Sequence, residues 1–438
     1  MLTLSISLLL NLGVSAGPLP SRAVSLWAAD AACIQVHVPE SGVRESCATG
    51  GRWTGRGSIA ATSPLRRDLD DRGPDPGTGT GSGRVQSQGP ALPSGAQPAI
   101  EASIRRGLDA LAASQALLRD GSLPVGQEDA ASPIGVTALA ALAWMAGGST
   151  PSRGPHAGAL VRALEYLLSH QAGTGEAHPG WISATEDKAS RSHGHGLATL
   201  AFSQASALSP RSPLGRRLGE GLEAAVRHIE RMQGSQGGWY YGPGRTAEHE
   251  GSVTVCLVQA LRGARNTGVR VDGAVIQRAI GYVESLQDET GGFRYSTTHP
   301  QVSVGLTAGC LSTLHASGVY DGRIVDAGYD YVFRELAARR PRADGSSAGE
   351  ASNFPYYERF YLAQAFWQHR DLQHFRRWAE DEVRRILADQ EADGTWQDLR
   401  PGGRGAGLLR GRYGDAYATA MNCLFLSVPE GLLPIFRR

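Results

Sequence analysis

From about residue 99 to the end of the chain, apolar residues follow two alternating patterns. In the first they fall at i, i+3 or i+4, and i+7: Ile104/Leu108/Leu111, Leu160/Leu164/Leu167, Leu222/Val226/Ile229 and Ile276/Ile280/Val283. That spacing predicts helices with a single apolar face. In the second pattern a run is small or apolar almost all round, at 136–145, 196–207, 252–264, 303–317, 360–368 and 417–428. A helix of that kind is expected where protein encloses it on every side. Gly147-Gly148, Gly268 and Gly318 follow such runs and suit C-terminal caps.

The two patterns repeat as a unit. The one-faced helices end near Gln115, Gln171, Gln233, Gln287 and Gln390, about 50 to 60 residues apart except for a last interval of roughly two units. A Gly-rich turn with an aromatic follows, as Gly180-Trp181, Gly238-Trp239, Gly292-Phe293 and Gly394-Thr395-Trp396. Paired, the helices divide the chain into hairpins at 100–148, 158–209, 219–268, 273–320, 322–370 and 374–428. The fifth lacks the Gln and the turn, but Tyr329-Asp330-Tyr331-Val332-Phe333 keeps the helical spacing. The expected architecture is all-α: six hairpins forming one (α/α)6 toroid over 99–438, half-polar helices outside and apolar ones inside. The number six and the lack of an evident polar cap on either end helix favour closure; an open superhelix is the structural alternative.

Gln followed by Gly-x-Trp after an amphipathic helix resembles the QW motif of squalene–hopene cyclases and related terpene cyclases. The same toroid is shared by protein prenyltransferase β subunits. Over residues 99–438 the chain is most similar to single-toroid bacterial proteins with prenyltransferase/squalene-oxidase repeats, including the ending Tyr417-Ala-Thr-Ala-Met421 and Leu433-Pro-Ile-Phe436. A Gln side chain is expected to bond free backbone amides at a neighbouring helix end, with the Trp over the turn, a structural tie.

The preceding segment differs. Residues 17–98 lack periodicity and are rich in Gly, Pro, Ser and Thr, which predicts a disordered linker within the 1–98 leader. Its Asp68-Leu69-Asp70-Asp71 string and its Gly77–Gly83 stretch lack the helix or strand–turn–helix setting that would give them chemistry. At the start, the apolar stretch 2–12 and Val14-Ser15-Ala16 resemble an export signal, though the first basic residue is Arg22. Export or a periplasmic location would follow from that signal, and a cytoplasmic one from its absence.

Composition narrows the partners. A formal net charge of +1 over 438 residues leaves no footprint for nucleic acid. No apolar run reaches the roughly 18 residues of a transmembrane helix. The cysteines Cys33, Cys47, Cys256, Cys310 and Cys423 show no CxxC spacing, and only Cys33 and Cys47 lie close enough for a local disulfide. No cofactor and no metal are implied: the prenyltransferase Asp-x-Cys is missing before Cys256 and Cys310, and His193-x-His195 fits one helix face poorly.

If the helices alternate, all inner N-termini meet on one rim, where helix dipoles lend partial positive charge. The residues leading into them are Ser192-His193-Gly194-His195, Glu248-His249-Glu250-Gly251-Ser252, Thr298-His299-Pro300, Phe354-Pro355-Tyr356-Tyr357-Glu358-Arg359 and Tyr413-Gly414-Asp415-Ala416-Tyr417. Histidines, acids and tyrosines at the mouth of an apolar bore suit a ligand site; caps and exposed rim residues explain them one by one equally well. The resemblance implies an acid at Glu250, in the place of the middle Asp of a cyclase DxDDTA motif, with Gly251 where a fourth acid would stand. The string at 415–420 also resembles that motif, but there Tyr417 replaces the middle acid.

Three functions follow. The first is a toroid that binds an apolar, isoprenoid-like small molecule and acts on it by acid catalysis. There Glu250 would be the acid, His195 its hydrogen-bond partner and Asp415 a second acid. Glu248, His249, His193, Trp239, Tyr356, Tyr357, Tyr413 and Tyr417 would line the ligand, the aromatics offering their π faces to a carbocation. The second is a non-catalytic scaffold for a protein partner, its bore plugged by Trp144, Phe202, Phe366, Trp367 and Phe425. The third is a polysaccharide-active toroid enzyme, which needs two opposed carboxylates such as Glu250 and Asp415.

Overall fold

The computed structural model describes residues 96–340, 351–401, 407–431 and 433, all within the compact unit Ser87–Arg438. The export-signal, linker and Asp68–Asp71 expectations, Cys33 and Cys47, and most of the resembling C-terminal ending lie outside the described residues.

Among the described residues there are twelve α-helices: α1 (Gln97–Leu117), α2 (Pro133–Ala146), α3 (Ala157–Ser169), α4 (Arg191–Leu208), α5 (Pro213–Met232), α6 (Gly251–Asn266), α7 (Gly273–Ser285), α8 (Val304–Ala316), α9 (Arg323–Ala338), α10 (Pro355–Gln368), α11 (Gln373–Ala388) and α12 (Asp415–Leu426). One small antiparallel hairpin, β1 (Leu399–Pro401) with β2 (Leu408–Arg410), interrupts them. Each even-numbered helix packs on the next even one, and α12 packs back on α2. α1 lies against α11 and α12, so the first hairpin meets the last. The ring is closed.

The two layers follow from the two sequence patterns. Every residue of α2 is buried, as an inner helix requires. On α5 burial is confined to one stripe that includes Leu218, Leu222, Val226 and Ile229, and the rest faces solvent. The expected glycine caps are present, with Gly148, Gly268 and Gly318 at positive φ just after their helices.

The glutamines work in the opposite sense to that expected. Their side-chain amides donate to carbonyls; they do not accept from free N–H groups. Gln233 Nε2 donates to Gly237 O at 2.7 Å and to Val275 O of α7 at 2.8 Å, while its Oε1 accepts from Arg278 Nε. Gln115, Gln171 and Gln287 make the same pair of bonds to their own turn and to the next outer helix. Gln390 donates to Gly394 O and to Ser103 O of α1, tying the last hairpin to the first. Beneath four of the five ties an inner-helix threonine accepts from the turn backbone: Thr137 from Leu123, Thr254 from Trp239, Thr307 from Phe293 and Thr419 from Trp396.

Four of the large inner-helix aromatics pack outward, against the outer helices. Trp144 Nε1 donates to Leu108 O of α1, Trp367 packs on Phe375, Phe366 on Phe333 and Phe425 on Trp378, all toward the outer layer. Polar side chains cross between inner helices instead. Gln259 Nε2 of α6 donates to Gln364 Oε1 of α10 at 2.8 Å, Ser312 of α8 reaches the same oxygen, and Tyr361 OH approaches Gln259. All four are buried.

Candidate active site at the inner-helix rim

Half-buried residues of the inner helices concentrate in their N-terminal turns: His193 and Leu197 on α4, Ser252 on α6, Tyr356 and Tyr357 on α10, and Tyr417 on α12. That end of the ring is the candidate rim.

Glu250 caps α6. Its side chain accepts from Ser252 N at 2.8 Å, from Val253 N at 2.7 Å and from Ser252 Oγ at 2.8 Å. It is fully buried, and desolvation pushes its pKa up to about 7, against the pull of those three hydrogen bonds. Ser252 Oγ also lies 3.1 Å from His193 Nε2. Burial holds His193 down to about 4, so its ring is neutral near pH 7. Its Nδ1 is buried without a hydrogen-bond partner. Glu250, Ser252 and His193 thus form one hydrogen-bonded chain whose far end, an imidazole nitrogen, is unused. The direction of the bonds depends on the carboxyl proton. With Glu250 ionised the serine donates to it; with Glu250 protonated the serine is free to donate to His193.

His195 does not partner Glu250, contrary to expectation. The helix starts at Arg191, five residues before the predicted run, and His195 faces outward. Its Nδ1 accepts from Ile182 N at 3.2 Å, in the role threonine plays in four other hairpins, which fixes the proton on Nε2. Trp181 covers the ring with centroids 4.6 Å apart, and His228 lies 5.4 Å away edge-on. Ile182, not Trp181, therefore occupies the position that Trp239 and Trp396 hold in their turns.

Trp239 and His249 also belong to the packing. Trp239 is buried, with its indole N–H donating to Ile229 O. His249 packs on the backbone of Gly234 and Gly238 and on the Tyr282 ring of α7. Neither faces a bore, so the π-face and ligand-lining roles expected of them have no geometric basis. Glu248 is exposed, beside Tyr240.

The other side of the rim is aromatic. Tyr417 packs against Tyr356 and Tyr413, with centroids at 5.8 and 5.1 Å. Tyr357 packs on Tyr361, and its buried hydroxyl has no hydrogen-bond partner. Burial raises Tyr357 well above the usual phenol range, with the charges of Tyr361 and Glu250 adding to it. Asp415 is occupied: its carboxylate accepts from Asp398 N at 2.7 Å and from Arg410 at 3.0 Å. It makes no contact with Glu250. Asp398, which no sequence pattern singles out, is buried and accepts from Tyr413 N and Gly414 N, fixing the turn into α12.

Sequence reasoning missed Ser252 as the link, and Asp398 as a positioning carboxylate. Ser252 could have been found from its spacing, since a hydroxyl two residues after a capping Glu can both meet the carboxylate and reach across to the next helix. No group of three or more His, Cys, Asp or Glu side chains among the described residues is arranged to hold a metal ion.

No family model matches the chain, and no curated protein sequence does. Solved structures do match. A cellobiose 2-epimerase from Spirochaeta thermophila has a TM-score of 0.53 at 16% identity, over 77% of this chain and 98% of that one. A D-mannose isomerase has a TM-score of 0.51 at 11% identity, over 75% and 96%. An α-1,6-mannanase of family GH76 from Salegentibacter has 0.51 at 11%, over 76% and 99%. The fold is an α/α toroid. At these identities the toroid shares its architecture with those enzymes, and its chemistry has to be argued from its own rim.

Proposed function

We propose that the toroid binds a carbohydrate at the inner-helix rim and transfers a proton to or from it through Glu250, Ser252 and His193. The observation that carries this reading is the hydrogen-bonded chain from a buried carboxyl, raised to about 7, to an imidazole with one unused nitrogen. A group that titrates near the working pH is suited to both halves of a proton transfer. His193 would face the ligand; Ser252 would pass the proton; Glu250 would store it.

The rim suits a sugar better than a hydrocarbon. Its walls carry the rings of Tyr356, Tyr357 and Tyr417, which can stack on a sugar's C–H face while the unpartnered Tyr357 hydroxyl and His193 meet its oxygens. The crossing by Gln259, Gln364, Ser312 and Tyr361 puts polar groups where an apolar, isoprenoid-like ligand would need a dry hydrocarbon wall. The epimerase, the isomerase and the mannanase that share the fold are sugar enzymes by name, which supports the same reading. The glutamine ties support kinship with QW-repeat proteins in the scaffold only. Because Asp415 is engaged by Arg410 and the Asp398 backbone, the opposed-carboxylate arrangement expected for a glycosidase is not part of the proposal.

Saturation-transfer NMR with a panel of mono- and oligosaccharides, and with farnesol and farnesyl diphosphate as competitors, tests the reading. Sugar signals should be attenuated by the wild-type protein and not by Tyr417→Ala. Binding confined to the isoprenoids would overturn it.

A further inference from the structure

The last hairpin carries an addition that the first four lack. From the turn backbone to the residue that caps it, the chain takes 14 residues in the first hairpin, 13 in the second, 15 in the third and 14 in the fourth. In the last it takes 23, from Trp396 to Thr419. The extra length builds β1 and β2, in register Leu399↔Arg410, Arg400↔Leu409 and Pro401↔Leu408.

This hairpin is fastened to the aromatic side of the rim. Tyr356 OH donates to Gln397 O at 2.6 Å and accepts from Leu399 N, and Asp398 holds the turn between β2 and α12 through Tyr413 and Gly414. From 399 to 412 the sequence has no acidic residue, yet it includes Arg400, Arg410 and Arg412. In a chain of net charge +1 that is a local concentration of positive charge. Arg410 and Arg412 are anchored to Asp415 and Asp129, both with the cation still partly exposed. Arg400 is not anchored in this way: its Nε is buried and has no hydrogen-bond partner. The carboxylates at 415 and 398 are already engaged, Asp415 by Arg410 and Asp398 by two backbone amides, so the half-buried Arg400 guanidinium is left without a carboxylate partner among the described residues.

The geometry points to an anionic carbohydrate as the ligand, one bearing a carboxylate or a sulfate that Arg400 receives at the hairpin beside Tyr356. This rests on the carbohydrate reading of the rim and narrows it. A guanidinium fork matches either oxyanion, so the chemistry they share is the claim and the test separates the two sources.

Isothermal titration calorimetry with wild-type protein and Arg400→Gln should use oligosaccharides of equal length: uronate-containing, sulfated, and neutral. At least one acidic series should bind tenfold or more tightly than the neutral one, and Arg400→Gln should erase that advantage while leaving neutral binding within twofold. Raising NaCl from 50 to 500 mM on wild-type protein should weaken acidic but not neutral binding, which reads the same charge without a substitution. Which acidic series responds identifies carboxylate or sulfate. Equal binding of acidic and neutral sugars, unchanged by Arg400→Gln, overturns the anionic inference and leaves the carbohydrate reading standing. Binding of no sugar overturns both.

Discussion

Glu250 and His193 meet through one hydroxyl: Ser252 Oγ stands 2.8 Å from the carboxylate and 3.1 Å from the imidazole. The two ends are displaced from their ordinary values in opposite directions by the same cause, burial, which disfavours the anion at Glu250 and the cation at His193. The neutral pair is therefore the favoured state at the rim between about pH 4 and pH 7.

That displacement is a statement about stability. Glu250 moves from an ordinary value of 4.5 to about 7, so between those limits the folded protein holds a proton that the unfolded chain has released. Its contribution is complete below about pH 4.5 and is lost as pH rises through 7. His193 works the other way, its contribution growing as pH rises from about 4 toward 6.5. Comparison with Glu250→Gln isolates the first effect. In urea titrations, wild type should lose roughly 2–4 kcal/mol relative to the Gln variant between pH 5 and 8, at about 1.4 kcal/mol per unit of displacement. A difference that does not change with pH would show that Glu250 titrates normally.

His195 stands where four other hairpins use threonine, and its Nδ1 takes the same backbone N–H. His195→Thr should therefore keep stability within about 1 kcal/mol of wild type, whereas His195→Leu leaves Ile182 N–H unpaired and should cost about 1–3 kcal/mol. Denaturant unfolding of the two variants decides it. If both are equally destabilised, the imidazole does something the threonines do not.

Ring closure can be tested at Gly107 on α1. A Cβ there would stand 2.6 Å from Cys423 Sγ of α12 and 2.8 Å from the Trp396 ring. Gly107→Ala should cost about 1–3 kcal/mol through overpacking. Gly219→Ala on α5, which meets open space, should be neutral or stabilising by up to about 1 kcal/mol. Thermal unfolding of both measures the contrast; equal effects would mean α1 does not dock where the toroid requires.

The scaffold was readable because burial differs so sharply between the layers. A helix buried all round, such as α2, and one buried on a stripe, such as α5, leave different patterns that need no partner to be recognised. The rim was less readable because it depends on register. His193 and His195 are two residues apart and point to different sides of α4, so only one can reach Ser252. Placing the helix start at 196 and not at Arg191 gave no means of choosing between them. The direction of the glutamine ties was hidden for another reason: an amide both donates and accepts, and only the facing carbonyl decides. β1 and β2 were missed because Arg-Pro-Gly-Gly and Gly-Leu-Leu-Arg carry no alternation long enough to read as strands.

The serine is the one link in the proton route that can be removed by itself. Ser252→Ala breaks the connection between Glu250 and His193 yet retains the two backbone N–H groups that hold the capping carboxylate. Steady-state kinetics on a sugar identified by the NMR panel should show kcat reduced about 100-fold or more with KM nearly unchanged. A Ser252→Ala enzyme with wild-type kcat would contradict the proposed route for the proton.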